Sequence, residues 1–200
     1  MFDLDDLRQQ IRARRRALSS AERHHAAQQL AKRVASLRLF THAHHIAAYL
    51  AFDGEMDPAP LVERAWAMGK RVYLPILRRK QALKFALYRP DSHMRENYYG
   101  IPEPVVAEEE MIGAHQLDLV LAPLVAFDER GTRMGMGGGF YDRSFAFRAH
   151  PGHIPKPRLL GLAYELQKHP ELPRREWDVP LDGIATEAAL YLGDSGHPLD

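Results

Sequence analysis

Residues 118–142 read "DLVLAPLVAFDERGTRMGMGGGFYD". The first ten form the most apolar run in the chain, too short to cross a membrane and rich enough in Leu and Val for a strand buried on both faces. Five of the chain's 14 glycines follow, between Gly131 and Gly139. Phe140, Tyr141 and Asp142 then open a helix expected to run to about Ala149. A central strand that passes through glycines into a helix is the layout of an open α/β sheet, in which ligands bind beyond the carboxyl ends of the strands.

The glycines admit two readings. They let backbone amides point into a concavity and let phosphate oxygens approach, with the next helix's N-terminus adding positive potential. A tight strand-to-helix turn is the alternative, although three glycines in succession, Gly137 to Gly139, carry an entropic cost that a turn alone does not justify. The stretch is not a Walker A loop, because no Gly-Lys-Ser/Thr follows, and it lacks G-x-G-x-x-G spacing. Arg133 stands at its entrance, and Asp142 at its exit is a candidate ligand for a hard cation such as Mg²⁺.

Outward from this stretch, apolar residues at helical spacing predict helices over 2–17 and 20–37, the second opened by Ser19 and Glu22 as a capping box. Strands are expected over 45–52, 70–77, 83–88, 158–165 and 184–192, with a helix from Asp57 and Pro58 to Gly69. A Pro-rich surface segment carries Pro151, Pro155, Pro157, Pro170 and Pro173. Strand, helix, strand at this spacing means a mostly parallel sheet flanked by helices in a three-layer α/β fold. One domain over 1–200 is expected, with the basic helical segment 1–38 packed on it; such a length buries about 70 % of the unfolded chain's surface.

With no cysteine, disulfides, thiol catalysis and thiolate metal sites are excluded. Asp3, Asp5 and Asp6 open the chain where a signal peptide would be basic and then apolar, so a cytoplasmic, monomeric protein is expected. The net charge of +1 hides an asymmetry: residues 8–38 hold nine Lys/Arg against one acid, Glu22. Arg8, Arg12 and Arg15/Arg16 share a helix face that suits phosphates, of a nucleotide or of a nucleic-acid backbone, or is simply solvated. The absence of aromatic residues for base stacking over 8–39 counts against nucleic acid.

In "FDGEMD" (52–57), Glu55 is either a hydrogen-bond acceptor for a heterocycle's amino groups or, as the sequence alone favours, an exposed loop acid. The "HAHH" histidines (42–45) lack a fourth ligand or an i, i+4 pair and are not read as a metal site. "WDVPLDGIATE" (177–187) offers Asp178 and Asp182 as turn acids or as a second cation ligand.

An early arginine helix, "YLAFDGE", "GKRVYLP", "YGIPEP", "DLVLAPLVAFDERGTRMGMGGGFYDR" and "WDVPLDGIATE", in that order, resemble the 5-formyltetrahydrofolate cyclo-ligase family in its bacterial branch. The resemblance runs from about Leu7 to Tyr191. It implies a fold similar to the sugar-phosphate isomerase and CoA-transferase superfamily. It also implies ATP-dependent conversion of 5-formyltetrahydrofolate to 5,10-methenyltetrahydrofolate, with Mg²⁺, through a phosphorylated formyl group.

By position, the resemblance assigns ATP contacts to Arg8, Arg133, Met134, Gly135, Met136, Gly137, Gly138, Gly139, Phe140 and Tyr141, with Arg12, Arg14, Arg133 or Arg143 expected to compensate where the loop lacks basic residues. Folate contacts fall on Leu50, Glu55, Tyr99, Met136 and Phe140, and Mg²⁺ on Asp142 and Asp182; Arg133, Tyr141 and Asp142 are the expected catalytic residues. Many members carry a Lys where Leu4 stands, and "GRGKGYYD" in place of "GMGGGFYD". A nucleic-acid-binding regulator, or the same fold acting on a sugar phosphate or CoA ester, is the competing reading.

Overall fold

In a computed structural model that describes residues 3–78, 81–149, 156–193 and 199, the apolar run 118–127 splits into two strands. In chain order the strands are β1 (His45–Ala47), β2 (Arg71–Ile76), β3 (Lys84–Tyr88), β4 (Met94–Glu96), β5 (Pro102–Pro104) and β6 (Ile112–Gly113). They continue with β7 (Leu119–Pro123), β8 (Ala126–Phe127), β9 (Arg133–Met134), β10 (Arg158–Leu162), β11 (Gly183–Ala185) and β12 (Leu190–Leu192). The helices are α1 (Leu4–Ala17), α2 (Ser20–Ala35), α3 (Arg38–Thr41), α4 (Ala59–Ala67) and α5 (Phe140–Phe145), the last continued by a 3-10 turn, Ala146–Ala149.

The main sheet runs β12-β11-β10-β7-β1-β2-β3-β6. Its middle, from β11 to β2, is parallel, and the antiparallel partners sit at the two edges. Alternation along β7 explains the continuous apolar run. Leu119 and Leu121 face a core shared with Leu30 and Val34 of α2 and Leu61 of α4, whereas Val120 and Ala122 face Phe145, Leu117 and Phe127 on the other side. Both faces are buried, so both sets must be apolar.

β7 ends at Pro123, which has no N–H to extend the ladder. Val125 N then bonds Met134 O at 2.7 Å, and β8 pairs antiparallel with β9 in a separate hairpin. The buried Asp128 carboxylate ties that hairpin together by accepting the amides of Arg130, Thr132 and Leu172 at 3.0–3.1 Å. Helix α1 lies on the hairpin through Ile11, which packs with Val125, Ala126, Met134 and Leu172.

The capping box at Ser19 is present, with Ser19 Oγ accepting Glu22 N and the Glu22 carboxylate accepting Ser19 N. Asp57 accepts Ala59 N at 2.9 Å to start α4, and Gly69 ends that helix at φ +71°. The expected strand over 45–52 is shorter: after Ala47 the chain leaves the sheet as a loop carrying Leu50, Asp53 and Glu55. The expected strand over 184–192 is instead the β11–β12 hairpin. Thr186 Oγ accepts the amides of Ala188 and Ala189, a side-chain turn that no Gly or Pro announces. Of the Pro-rich segment, Pro151 and Pro155 lie outside the described residues.

Candidate active site

β1, β2 and β7 run parallel, so the segments leaving their carboxyl ends gather on one side of the sheet. Tyr49 and Leu50 after β1, Leu77 after β2, and Pro123 and Leu124 at the end of β7 line one cavity of about 650 Å³ there. That size is within the range of small-molecule sites.

The glycine run forms one wall. Gly131, Gly137 and Gly139 have φ of +80°, +91° and +62°, conformations that L side chains rarely adopt. Arg8 reaches over from α1 to the same wall, donating from Nε to Gly135 O at 3.0 Å while pairing with Asp5. Arg133 pairs with Asp142 across the run, and its guanidinium sits 5.7 Å from the centroid of the Tyr141 ring. Asp142 also accepts Val179 N at 3.2 Å, which brings the 175–179 segment against the loop. Asp178 in that segment lines the cavity and accepts Arg175 N at 2.8 Å.

The rest of the lining is more apolar but also holds the carboxyls of Asp53, Glu55 and Glu103. Leu50, Leu74, Ile101 and Tyr99 line the cavity with Glu55, whose side chain accepts Phe52 N at 3.2 Å. Burial raises the Glu55 carboxyl above its usual range, against the pull of Arg15 and of that backbone N–H. Glu55 is therefore not the exposed loop acid that the sequence favoured. Burial also raises the Tyr141 and Tyr49 hydroxyls, with Glu55 adding to both. Tyr164 donates to Glu55 O at 3.2 Å, and burial pushes its hydroxyl up to about 12.

Most residues singled out from the sequence meet here: Arg8, the whole stretch Arg133 to Asp142, Leu50, Glu55 and Tyr99 all line the cavity. Arg12 does not. Its Nε bonds Asp53 at 2.6 Å, and Arg15 and Arg16 converge on the same carboxylate at 3.2 Å. Burial would raise the Asp53 carboxyl, but the three guanidiniums outweigh it and hold it below the usual range. This arrangement ties the basic face to one acid: Arg15 is fully buried and also donates to Asp53 O and Leu124 O, whereas Arg12 is partly exposed and Arg16 exposed.

Asp182 is also absent from the cavity. It precedes β11, at the amino-terminal edge of the sheet, whereas Asp142 lies beyond the carboxyl ends. Buried to 1 % exposure, it pairs with Arg148 at 2.7 Å and Arg158 at 3.3 Å and accepts Leu159 N at 2.6 Å. The expectation that Asp142 and Asp182 share a cation does not fit this separation. Asp178 is the acid that lies with Asp142. Among the described residues no group of three or more His, Cys, Asp or Glu could hold a metal, so a cation here would rest on two carboxylates and a ligand's own oxygens, as Mg²⁺ commonly does.

Arg143, an arginine expected to compensate for the loop's missing basic residues, lines the cavity, as do Arg175 and Trp177, which sequence reasoning passed over. Trp177 is 66 % exposed with the Arg175 guanidinium 5.6 Å from its ring centroid. An exposed Trp in a polar loop was the available signal.

A model of the 5-formyltetrahydrofolate cyclo-ligase family matches residues 3–187. The 5-formyltetrahydrofolate cyclo-ligase of Escherichia coli K12 is 41 % identical over 183 residues, covering 90 % of this chain and 98 % of its own. The Haemophilus influenzae enzyme of the same name is 40 % identical over 180 residues, covering 89 % and 94 %. The NMR structure of Aquifex aeolicus 5,10-methenyltetrahydrofolate synthetase superposes with a TM-score of 0.80 at 29 % identity, covering 98 % of this chain and 95 % of that one.

Proposed function

The chain belongs to the 5-formyltetrahydrofolate cyclo-ligase family, and on that premise we propose that its cavity brings ATP and 5-formyltetrahydrofolate together. It is a ligase of folate metabolism that makes 5,10-methenyltetrahydrofolate; ATP as the co-substrate and the route of the reaction are our reading. The observation that carries it is one cavity with two unlike walls. Glycine backbone and arginines make up one, and Glu55 and Glu103 with Leu50, Leu74, Tyr99 and Ile101 belong to the other.

In this reading the formyl oxygen attacks the γ-phosphorus of ATP, the bond from that phosphorus to the β–γ bridging oxygen breaks, and ADP leaves. The formyl carbon, now bearing a phosphate ester and joined to N5 as an iminium, is attacked by the N10 lone pair. N10 loses its proton, the carbon–oxygen bond breaks, and phosphate leaves with the methenyl cation formed. Such chemistry asks the protein for position and charge neutralisation rather than a nucleophile.

Arg8, Arg133 and the amides of the glycine run would hold the polyphosphate. Glu55, as a carboxylate, would accept the adjacent N–H groups of the pterin ring, and Tyr99 would cover its face. Asp142 and Asp178 are the residues to hold Mg²⁺, which neutralises phosphate charge when bound. Three of the nine basic residues over 8–38, Arg12, Arg15 and Arg16, are tied to Asp53, which leaves fewer of them for a nucleic-acid backbone and favours the enzyme over a nucleic-acid-binding regulator.

Purified protein given ATP, Mg²⁺ and 5-formyltetrahydrofolate should show methenyl absorbance growing in step with ADP release. If neither appears, the reading fails.

A further inference from the structure

We propose that Arg143, held on the ring of Phe140, contacts the polyphosphate of the nucleotide; this rests on the ATP reading above. Four arginines line the cavity: Arg8, Arg133, Arg143 and Arg175. Arg8 pairs with Asp5 and Arg133 with Asp142. Among the described residues, no carboxylate lies within 4.0 Å of the Arg143 or Arg175 guanidinium.

Arg143 alone of these two packs against the glycine run. Its guanidinium sits 5.2 Å from the Phe140 ring centroid, and its Nη1 would be 2.8 Å from a Cβ built on Gly139. The Phe140 ring in turn would place Cδ2 and Cε2 2.9 Å from a Cβ on Gly138. Gly138 has no positive φ, so close approach of this ring, and not backbone conformation, is what its missing side chain serves. The loop thus carries a layered arrangement of glycine backbone, phenyl ring and guanidinium. A cation–π contact orients the cation, and it has no carboxylate to neutralise it. A planar guanidinium lining the cavity, with no carboxylate partner among the described residues, matches phosphate geometry.

A folate carboxylate is the other anion within reach of such a group, and the test separates the two. AMP, ADP, ATP and 5-formyltetrahydrofolate are titrated calorimetrically into the wild-type protein and into R143A, R143K and F140L. ATP binding is expected to weaken by roughly tenfold to a hundredfold in R143A, the effect of one lost charge-assisted hydrogen bond, with AMP unaffected. F140L should give a smaller loss with the same ranking, and R143K should recover part of it. Equal loss for AMP, ADP and ATP, no loss at all, or a loss confined to the folate overturns the proposal while leaving the ATP reading in place. A wild-type protein that binds no nucleotide overturns both.

Discussion

Arg133 and Asp142 stand at the two ends of the glycine run, and their side chains meet in an ion pair that spans nine positions. The pair closes the base of the loop. Because Arg133 also lies over Tyr141 and Asp142 also accepts Val179 N, it fixes the loop to the segment that carries Asp178. Losing either partner should therefore disturb both catalysis and stability.

Asp142→Ala is expected to lower kcat by roughly a hundredfold, the order of effect that misplacing a reacting group produces. The largely buried Arg133 loses its carboxylate partner as well, so a destabilisation of roughly 3 kcal/mol is expected beside the kinetic loss, and rates are compared per folded protein. Steady-state kinetics with a Mg²⁺ titration checks this, and unchanged Mg²⁺ dependence would remove Asp142 from the metal site.

Asp178→Ala and Asp182→Ala should part company. The first is expected to raise the Mg²⁺ concentration needed for turnover with little change in stability. The second removes the carboxylate that the largely buried Arg148 and Arg158 share, and should cost roughly 3 kcal/mol on unfolding with the Mg²⁺ requirement intact. Denaturant melts beside metal titrations distinguish them.

Asp53→Ala leaves the fully buried Arg15 without its charge partner and is expected to cost about 3 kcal/mol. The folded Asp53 carboxyl lies below its usual value of 3.8. Its contribution is thus complete above 3.8 and is lost as pH falls through the lower folded value. Acid unfolding curves of wild type and variant should converge there.

Glu55 runs the other way. Its folded value lies above the usual 4.5, so its contribution to stability is complete below 4.5 and declines as pH rises through the folded value. In the proposed reading the pterin is held by the carboxylate, so the KM for 5-formyltetrahydrofolate should rise as pH falls through that raised value. Glu55→Gln should raise the KM and flatten this acid limb; a pH profile identical to wild type would exclude Glu55 from the pterin contact.

Gly161→Ala tests the sheet itself. A Cβ at this position on β10 would come within 2.6 Å of Leu181 Cδ1 and 2.7 Å of Leu124 Cδ2 in the packed core. Overpacking of this kind is expected to cost roughly 1–3 kcal/mol, read from thermal or urea unfolding.

What could be read beforehand depended on how local the signal was. The capping box at Ser19, the end of α4 at Gly69 and the two-faced burial of β7 follow from periodicity and from residue types within a few positions of each other. The β11–β12 hairpin escaped notice because its turn is made by the Thr186 hydroxyl and contains neither Gly nor Pro. At the site, the glycine run and Glu55 stood out by type, but the same types cannot say which arginine finds which acid.

The sequence by itself determined the alternation of strands and helices, the parallel sheet, and a glycine-lined loop beyond the end of its most apolar strand. Tertiary structure alone decided that Arg12, Arg15 and Arg16 converge on Asp53, that Asp178 and not Asp182 lies with Asp142, and that Phe140 and Arg143 fill the space over Gly138 and Gly139. Hydrophobic periodicity is written into neighbouring residues, because burial of one face sets it. Charge partners are set by strand order and loop closure, which bring together groups that lie tens of positions apart along the chain.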